Sequence, residues 1–212
     1  MKLRREGRIP DILWLLEHPP TITWGSAGGQ DHLLAGSSEI QRRDVAVIHS
    51  ERGGDVTFHE PGQLVGYPII SLDVPGGRDL HEYLRCLEDG LILFLSGQGL
   101  QAVRMPGRTG VWFEGNPPRK IAAMGVRVKG WITSHGFALN VDNTLEGFAW
   151  IVPCGIRGAG VTSLERESGK ARMPSWDDLT KNLHLDLETT LGRKLQLVRG
   201  DEGLALAKSF SS

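Results

Sequence analysis

The sequence KIAAMGVRVKGWITSHGFALNV, residues 120–141, decides the fold that we predict. Two apolar runs, 121–128 and 131–141, flank Lys129 and Gly130, and this arrangement is typical of a β-hairpin. Shorter apolar runs bounded by turn residues predict further strands. They lie at 12–16, 21–24, 45–49, 64–72 and 111–114.

Two amphipathic helices are predicted beside these strands. Apolar residues recur at steps of three and four between Leu80 and Phe94, which predicts a helix over about 79–96. A capping box at 175–178 precedes a second apolar stripe that ends at Gly192. Residues 144–151 are predicted to form a short helix or a turn. Short strands joined by hairpins, with two clear helices, indicate an α+β fold with a mixed, mostly antiparallel sheet and flanking helices.

Length and composition exclude several classes of function. A chain of 212 residues suits a single domain, which we assign to 1–212. The net charge of −1 gives no basic surplus for nucleic-acid binding. No run approaches the roughly 18 apolar residues of a membrane span. Two cysteines make no disulfide framework, so we predict a cytoplasmic protein with free thiols.

Cys154 is the candidate nucleophile. It lies between Pro153 and Gly155, in turn sequence where a side chain is available to substrate. Lys120 precedes it by 34 positions (154 − 120), and an ammonium beside the sulfur would favour the thiolate, which attacks acyl carbon well. His135 and His59 are rival bases, and a Cys–His pair would instead indicate a hydrolase.

A glycine-containing stretch, Arg52-Gly53-Gly54, precedes Thr57-Phe58-His59 and could bring backbone amides close to a carbonyl or carboxylate. The chain lacks the G-x-x-x-x-G-K-[ST] phosphate loop and the G-x-G-x-x-G motif, which lowers the expectation of ATP use. No cysteine or histidine spacing is typical of zinc, so no metal is predicted.

Five sequence blocks resemble the octanoyltransferases of lipoate biosynthesis, the lipoate–protein ligase B family. They run in order from Leu15 to Glu167 and cover some 70% of the chain. The blocks are LLEHPPTIT, RGGDVTFHEPGQLVGYPII, RKIAAMGVRV, WITSHGFALNV and FAWIVPCGIRGAGVTSLERE.

This resemblance implies the fold of the biotin and lipoate ligase catalytic domain, and no cofactor. It implies that Cys154 carries the acyl thioester and that Lys120 lowers the pKa of its thiol and serves as acid and base. His135 is a possible supporting residue. The implied substrate site consists of a strand at 52–59 and two further runs. Its residues are Arg52, Gly53, Gly54, Asp55, Val56, Thr57, Phe58, His59, Ala123, Met124, Gly125, Gly136, Phe137 and Ala138.

The resemblance also implies the reaction and its partners. Octanoyl-acyl carrier protein would be the donor. Lipoyl domains of 2-oxoacid dehydrogenase E2 subunits and the glycine cleavage H protein would be the acceptors, each through a specific lysine. Because such partners are typically acidic, we expect docking through arginines, with Arg104, Arg108, Arg119 and Arg127 as candidates.

The sequence departs from the family pattern in the length of its N-terminal region, and three other functions stay open as alternatives. The family has a longer region, with a strand and a helix, before the EHPP block, whereas sixteen residues precede it here. The alternatives are an ATP-dependent lipoate or biotin ligase of the same fold, a cysteine hydrolase using Cys154 and His135, and a non-catalytic acyl-binding module.

Overall fold

Strands form two sheets in the part of the chain that the computed structural model describes, residues 1–74, 77–152, 158–170 and 173–209. The strands are β1 (Ile12–Leu16), β2 (Thr21–Trp24), β3 (Ala46–His49), β4 (Thr57–His59), β5 (Gln63–Ile69), β6 (Val103–Met105), β7 (Arg108–Phe113), β8 (Arg119–Lys129), β9 (Ile132–Asn140), β10 (Gly160–Val161) and β11 (Gln196–Arg199). The larger sheet has the order β11-β1-β5-β9-β8-β7-β6, with β10 paired to β8, and the smaller has the order β3-β2-β4.

Helices connect and flank these strands. The two longest, at Leu80–Gly97 and Trp176–Leu191, match the two helices predicted from the apolar stripes. The α-helices are α1 (Lys2–Arg5), α2 (Ser37–Arg42), α3 (Leu80–Gly97), α4 (Leu164–Ser168), α5 (Trp176–Leu191) and α6 (Glu202–Ser209), and 3₁₀ turns cover Gln30–His32 and Glu146–Trp150.

The pairing confirms a mixed, mostly antiparallel α+β architecture. Strand β5 is antiparallel to β1 and β9, and β8 is antiparallel to β9 and β7. The parallel pairs are β1–β11, β10–β8 and β2–β3. The predicted hairpin is present, with Gly130 at φ +58° in its turn.

The helix boundaries follow from their caps. The Asp79 carboxylate accepts hydrogen bonds from the amides of His81 (2.8 Å) and Glu82 (3.1 Å) at the start of α3. Ser175 Oγ accepts one from the amide of Asp178 (3.1 Å) at the start of α5, as the capping box predicts. Gly192, at φ +62°, ends α5 in the left-handed conformation.

One face of the large sheet packs on α3 and α5. The buried side chains of this core cluster include Leu87 and Leu91 from α3, Leu183 from α5, and Ile121 and Leu139 from the sheet. Apolar burial of this kind contributes roughly 25 cal/mol per Å². The helices therefore cover one face of the sheet and leave the opposite face of β5, β8 and β9 toward the small sheet.

The smaller sheet has its own apolar cluster, which includes Ile22, Val56, Phe58 and Phe148. This second sheet corrects the prediction of one sheet. The predicted strand 52–59 is also wrong over its first five residues, 52–56. Only Thr57–His59 is strand, because residues 52–55 form a turn with Gly54 at φ +85°.

Candidate functional site

A cavity of about 390 Å³ lies between the two sheets and is lined mainly by apolar atoms. Strands of both sheets supply its walls. The lining residues are His18, Pro19, Thr21, Thr23, Ala46, Ile48, Ser50, Arg52, Gly54, Asp55, Thr57, His59, Val65, Tyr67, Ala123, Met124, Gly125, His135, Gly136, Phe137 and Ala138. Its size lies at the lower end of the range of small-molecule sites.

Lys120 reaches this region through an irregularity in β8. Val111 pairs with Ala122, but the next residue of β7, Trp112, pairs with Lys120, so β8 carries one extra residue, Ile121. In regular strand geometry, residues three apart face opposite sides. The extra residue changes this, because a bulge inserts one position into the alternation. Lys120 and Ala123 therefore line the same small cavity.

That small cavity, of about 10 Å³, adjoins the large one. Both are lined by Thr57, Ala123 and Ala138. The small cavity also has Phe148 and Val161 in its wall, which come from either side of residue 154 in the chain. Lys120 is 6% exposed, so its ammonium lies at an internal junction rather than in bulk water.

The chain around Cys154 is anchored at both of its described ends. Before it, the amide of Val152 donates to the carbonyl of His32 (2.8 Å). After it, Val161 pairs with Lys120 in β10, and the amide of Thr162 donates to the carbonyl of Lys120 (2.9 Å). Cys154 itself lies outside the described residues.

His59 is oriented by a buried network of amides. Its Nδ1 lies 2.8 Å from Gln63 Oε1, and Gln63 Nε2 donates to Asn140 Oδ1 (2.9 Å). Asn140 Nδ2 in turn donates to the carbonyl of Thr162 (2.9 Å). This order makes His59 Nδ1 the donor and leaves Nε2 as an acceptor, 3.3 Å from Thr23 Oγ1. Burial lowers the pKa of His59 to about 4, so the ring is neutral at pH 7.

Further polar groups edge the cavity beside His59. His18 Nε2 lies 2.6 Å from the Tyr67 hydroxyl, and the Tyr67 ring meets His135 edge-on at 6.0 Å between centroids. Burial lowers the pKa of both His18 and His135 and raises that of Tyr67 to about 12. These side chains are therefore uncharged at neutral pH, which keeps the cavity compatible with an apolar ligand.

The turn at 52–55 depends on close backbone approach. The Arg52 guanidinium donates to the carbonyl of Thr23 (2.7 Å) and to its hydroxyl (3.0 Å). A Cβ on Gly125 would lie 2.8 Å from the carbonyl oxygen of Gly53, so this position requires glycine. Asp55 accepts from the amide of Val56 (2.7 Å) and faces His32 Nδ1.

The structure brings most of the predicted substrate-site residues together. Gly53, Val56 and Phe58 are not in the cavity wall, and Val56 and Phe58 point into the small-sheet core. Alternation explains the two side chains, because neighbours of Thr57 in or beside a strand face the other way. The predicted residues that do line the cavity are Arg52, Gly54, Asp55, Thr57, His59, Ala123, Met124, Gly125, Gly136, Phe137 and Ala138, together with His135.

Several polar residues of the region escaped sequence reasoning. Thr21 and Thr23 alternate with apolar residues in β2, a period-two signal that could have placed them on one face. His18 also lines the cavity, although its place before two prolines gave no sign of this. Gln63 and Asn140 gave no signal, because the hydrogen bond that joins them links two strands that are 77 positions apart in the chain.

The four candidate docking arginines mostly have partners. Arg104 pairs with Asp89 (3.2 Å), Arg119 with Glu167 (3.0 Å), and Arg127 with Glu51. Arg108 lies over the ring of Trp112, 5.8 Å from its centroid. All four side chains therefore have an intramolecular contact: three form an ion pair with a carboxylate, and Arg108 contacts an aromatic ring.

Two kinds of feature are absent from the described residues. None of their helices combines the length and apolar character needed to cross a bilayer. Within the same ranges, no group of three or more His, Cys, Asp and Glu side chains is arranged to hold a metal ion.

Comparison with known proteins agrees with this architecture. Residues 1–186 match the family model described as the lipoyl protein ligase A/B catalytic domain. A bi-partite lipoate protein ligase from Thermoplasma acidophilum, described together with its E2 lipoyl domain, superimposes with a TM-score of 0.73. The match covers 94% of this chain and 78% of that chain at 16% identity, which establishes the fold alone. The chain belongs to the lipoyl protein ligase A/B catalytic-domain family.

Within that family the chain is similar to octanoyltransferases. That of Rubrobacter xylanophilus is 54% identical over 172 residues, which are 80% of this chain and 75% of that protein. That of Caldicellulosiruptor bescii is 43% identical over 208 residues, or 97% of this chain and 89% of that protein. These relatives confirm the predicted enzyme class, an acyltransferase, and support octanoyl transfer in lipoylation as its activity.

Proposed function

We propose that the protein transfers an octanoyl group from octanoyl-acyl carrier protein to a specific lysine of a lipoyl domain, through a thioester on Cys154. The observation that carries this proposal is the junction of two cavities. An apolar cavity able to hold an acyl chain shares Thr57, Ala123 and Ala138 with the small cavity that contains Lys120.

The chain on both sides of Cys154 supports the same assignment. Phe148 and Val161 line the small cavity beside Lys120. Val161 in β10 is also the partner of Lys120 in the parallel pairing of β10 with β8. The other thiol is a poor nucleophile. Burial, followed by the carboxylates of Glu82 and Asp89, raises the pKa of Cys86 on α3.

The proposed reaction has two acyl transfers. The Cys154 thiolate attacks the thioester carbonyl, the carrier thiolate leaves, and the Lys120 ammonium gives it a proton. The acceptor amine then attacks the acyl-enzyme, the Cys154 thiolate leaves, and the neutral Lys120 amine takes the proton of the new amide nitrogen. The enzyme thus returns to its starting thiolate and ammonium.

The donor, the acceptors and the place of action complete the proposal. Octanoyl-acyl carrier protein donates, and lipoyl domains of E2 subunits and of the glycine cleavage H protein accept. The E2 lipoyl domain described with the Thermoplasma ligase supports an acceptor of that kind. The whole of 1–212 is proposed as one catalytic domain that works in the cytoplasm without a cofactor.

Intact-protein mass spectrometry tests the intermediate. After mixing with octanoyl carrier and no acceptor, wild type should gain one octanoyl adduct, and Cys154→Ala should gain none. Cys86→Ala is the matched control and should be acylated like wild type. An adduct on Cys154→Ala would refute the assignment of the nucleophile.

Amide formation tests Lys120. Lys120→Arg keeps a cation but cannot accept a proton at neutral pH, so we expect a loss of about 10²–10⁴-fold in amide formation. Undiminished amide formation would exclude the acid–base role. Product from free octanoate and ATP would favour a ligase, and release of octanoate without acceptor would favour a hydrolase.

A further inference from the structure

The sequence Thr109-Gly-Val-Trp112 on β7 lies directly against Lys120. The Lys120 Nζ atom lies 4.6 Å from the centroid of the Trp112 ring, within the range of a cation–π contact. Trp112 is 1% exposed and is the cross-strand partner of Lys120 at the bulge. The ring and the ammonium are therefore held together by strand pairing and by burial.

Gly110 makes room for the lysine stem. A Cβ on Gly110 would lie 3.5 Å from Lys120 Cε and 2.6 Å from the carbonyl oxygen of Ala122, and its φ is +118°. Only glycine adopts this conformation without strain. The aliphatic part of Lys120 thus passes over a residue without a side chain before its ammonium reaches the ring of Trp112.

A buried carboxylate fixes this part of β7. Glu88 on α3 has no exposed surface, and its Oε1 accepts a hydrogen bond from the amide of Gly110 (2.8 Å). Arg85 pairs with the other carboxylate oxygen, which compensates the buried charge. The hydrogen bond from Gly110 to Glu88 thereby fixes β7, the strand beside Lys120, relative to α3.

A second cation faces the same ring. The Arg108 Cζ atom lies 5.8 Å from the Trp112 centroid, and Trp112 Nε1 donates to the carbonyl of Arg108 (3.3 Å). The indole hydrogen bond limits rotation of the ring. Lys120 is the closer of the two cations, and it lines the small cavity. The geometry therefore favours Lys120 over Arg108 as the cation that the Trp112 ring positions.

We propose that Trp112 is a positioning residue for Lys120, whose ring holds the lysine charge at the cavity junction. The inference rests on the proposed function and deepens it, because thiolate formation at Cys154 then depends on an aromatic ring as well as on the lysine. A methionine side chain would occupy part of the space of the indole without offering a π face to the ammonium.

The rate at which iodoacetamide alkylates Cys154 tests this proposal. The modified peptide is identified by mass spectrometry, with Cys86 in the same sample as internal reference. In Trp112→Met we expect the Cys154 rate at pH 7 to fall about tenfold, equivalent to ~1.4 kcal/mol of lost cation–π attraction, and the half-maximal pH to move up. Trp112→Phe keeps a π face and should lose only about threefold.

Trp131→Phe and Trp131→Met are the matched controls. Trp131 is also under an arginine, with Arg78 Cζ 5.6 Å from its centroid, but it lies at the far end of the β8–β9 hairpin. Both controls should alkylate Cys154 at the wild-type rate. Lys120→Met should be slow, and adding Trp112→Met to it should cause no further loss, because the ring acts through the lysine.

The outcomes separate this inference from the proposed function. A slow Lys120→Met beside a Trp112→Met of wild-type rate would overturn the role of Trp112 and leave the thiol–lysine pair intact. A wild-type rate in Lys120→Met would overturn both. Additive losses in the double variant would also overturn the positioning role. Should Trp112→Met fail to fold, a wild-type rate in Trp112→Phe would be decisive against the proposal.

Discussion

The two faces of β8 and β9 differ in what their side chains do. On the face toward α3 and α5, Ile121, Ala122 and Leu139 are fully buried in a continuous apolar core. On the face toward the small sheet, Ala123, Gly125, Gly136 and Ala138 line an open cavity. The same pair of strands therefore packs in the apolar core with one face. Its other face forms a cavity wall, because the residues there are small.

The polar groups follow the same division. The cavity face contains Lys120, His135 and the His59–Gln63–Asn140 network. The helix face carries the apolar core, with the buried side chains of Thr133 and, on α3, Glu88 as polar exceptions. Because dense packing on the helix face stabilises the sheet, the protein can leave the cavity face unfilled and still be stable. We therefore expect substitutions on the helix face to change stability, and substitutions on the cavity face to change pH dependence and substrate choice.

The largest effect on stability is expected on the helix face. Leu91→Ala removes a side chain of α3 that has no exposed surface and should lower the free energy of unfolding by about 2–5 kcal/mol. Urea unfolding measures the loss. Acyl transfer per folded molecule should remain at the wild-type value. A large fall in that specific activity at unchanged stability would contradict the division between the faces.

Acidification should lower the free energy of unfolding by about 3 kcal/mol through His59, which lies on the cavity face. His59 has a pKa of about 4 in the folded protein against 6.5 ordinarily, with burial as the main cause. The unfolded chain therefore binds this proton first, and the stability contribution is complete above pH 6.5 and is lost as the pH falls toward 4. Over that window the single shift is worth ~3 kcal/mol.

The variant His59→Asn should reduce this dependence. Urea unfolding at a series of pH values from 7 to 4 measures the slope, which should be smaller in the variant. His18 and His135 contribute in the same direction, because burial lowers the pKa of each. An unchanged slope in His59→Asn would show that the buried ring is not the source of the acid sensitivity.

The smallest effect is expected from filling the cavity. Ala123→Leu places three extra carbons where the two cavities join, and should lower octanoyl transfer about tenfold, or ~1.4 kcal/mol. Transfer of a butanoyl group should fall much less, so the same variant supplies its own control. An equal loss for both donors would indicate distortion of Lys120 rather than occlusion of the acyl path.

Sequence patterns predicted much of the frame because they are local. The leucine steps gave α3, the capping box gave the start of α5, and Lys129-Gly130 gave the hairpin. The separate small sheet, the turn at 52–55 and the short strand β10 were missed. Their pairing partners lie far along the chain, and short apolar runs do not specify a partner.

The candidate site divides in the same way. The family motifs predicted Lys120, His59, Ala123 and Gly136, and the structure collects these residues around two joined cavities. The placement of Cys154 stays a prediction. Gln63 and Trp112 could not be predicted as members of the site. The hydrogen bonds of Gln63 and the contact of the Trp112 ring with the Lys120 ammonium depend on strand register rather than on residue type.

The sequence by itself determined the layers, because apolar periodicity states which side of each helix and strand must leave water. Only the tertiary structure decided which way Lys120 faces. The one extra residue in β8, Ile121, becomes a bulge solely because β7 pairs across it, and that pairing turns the lysine toward the cavity that it shares with Ala123.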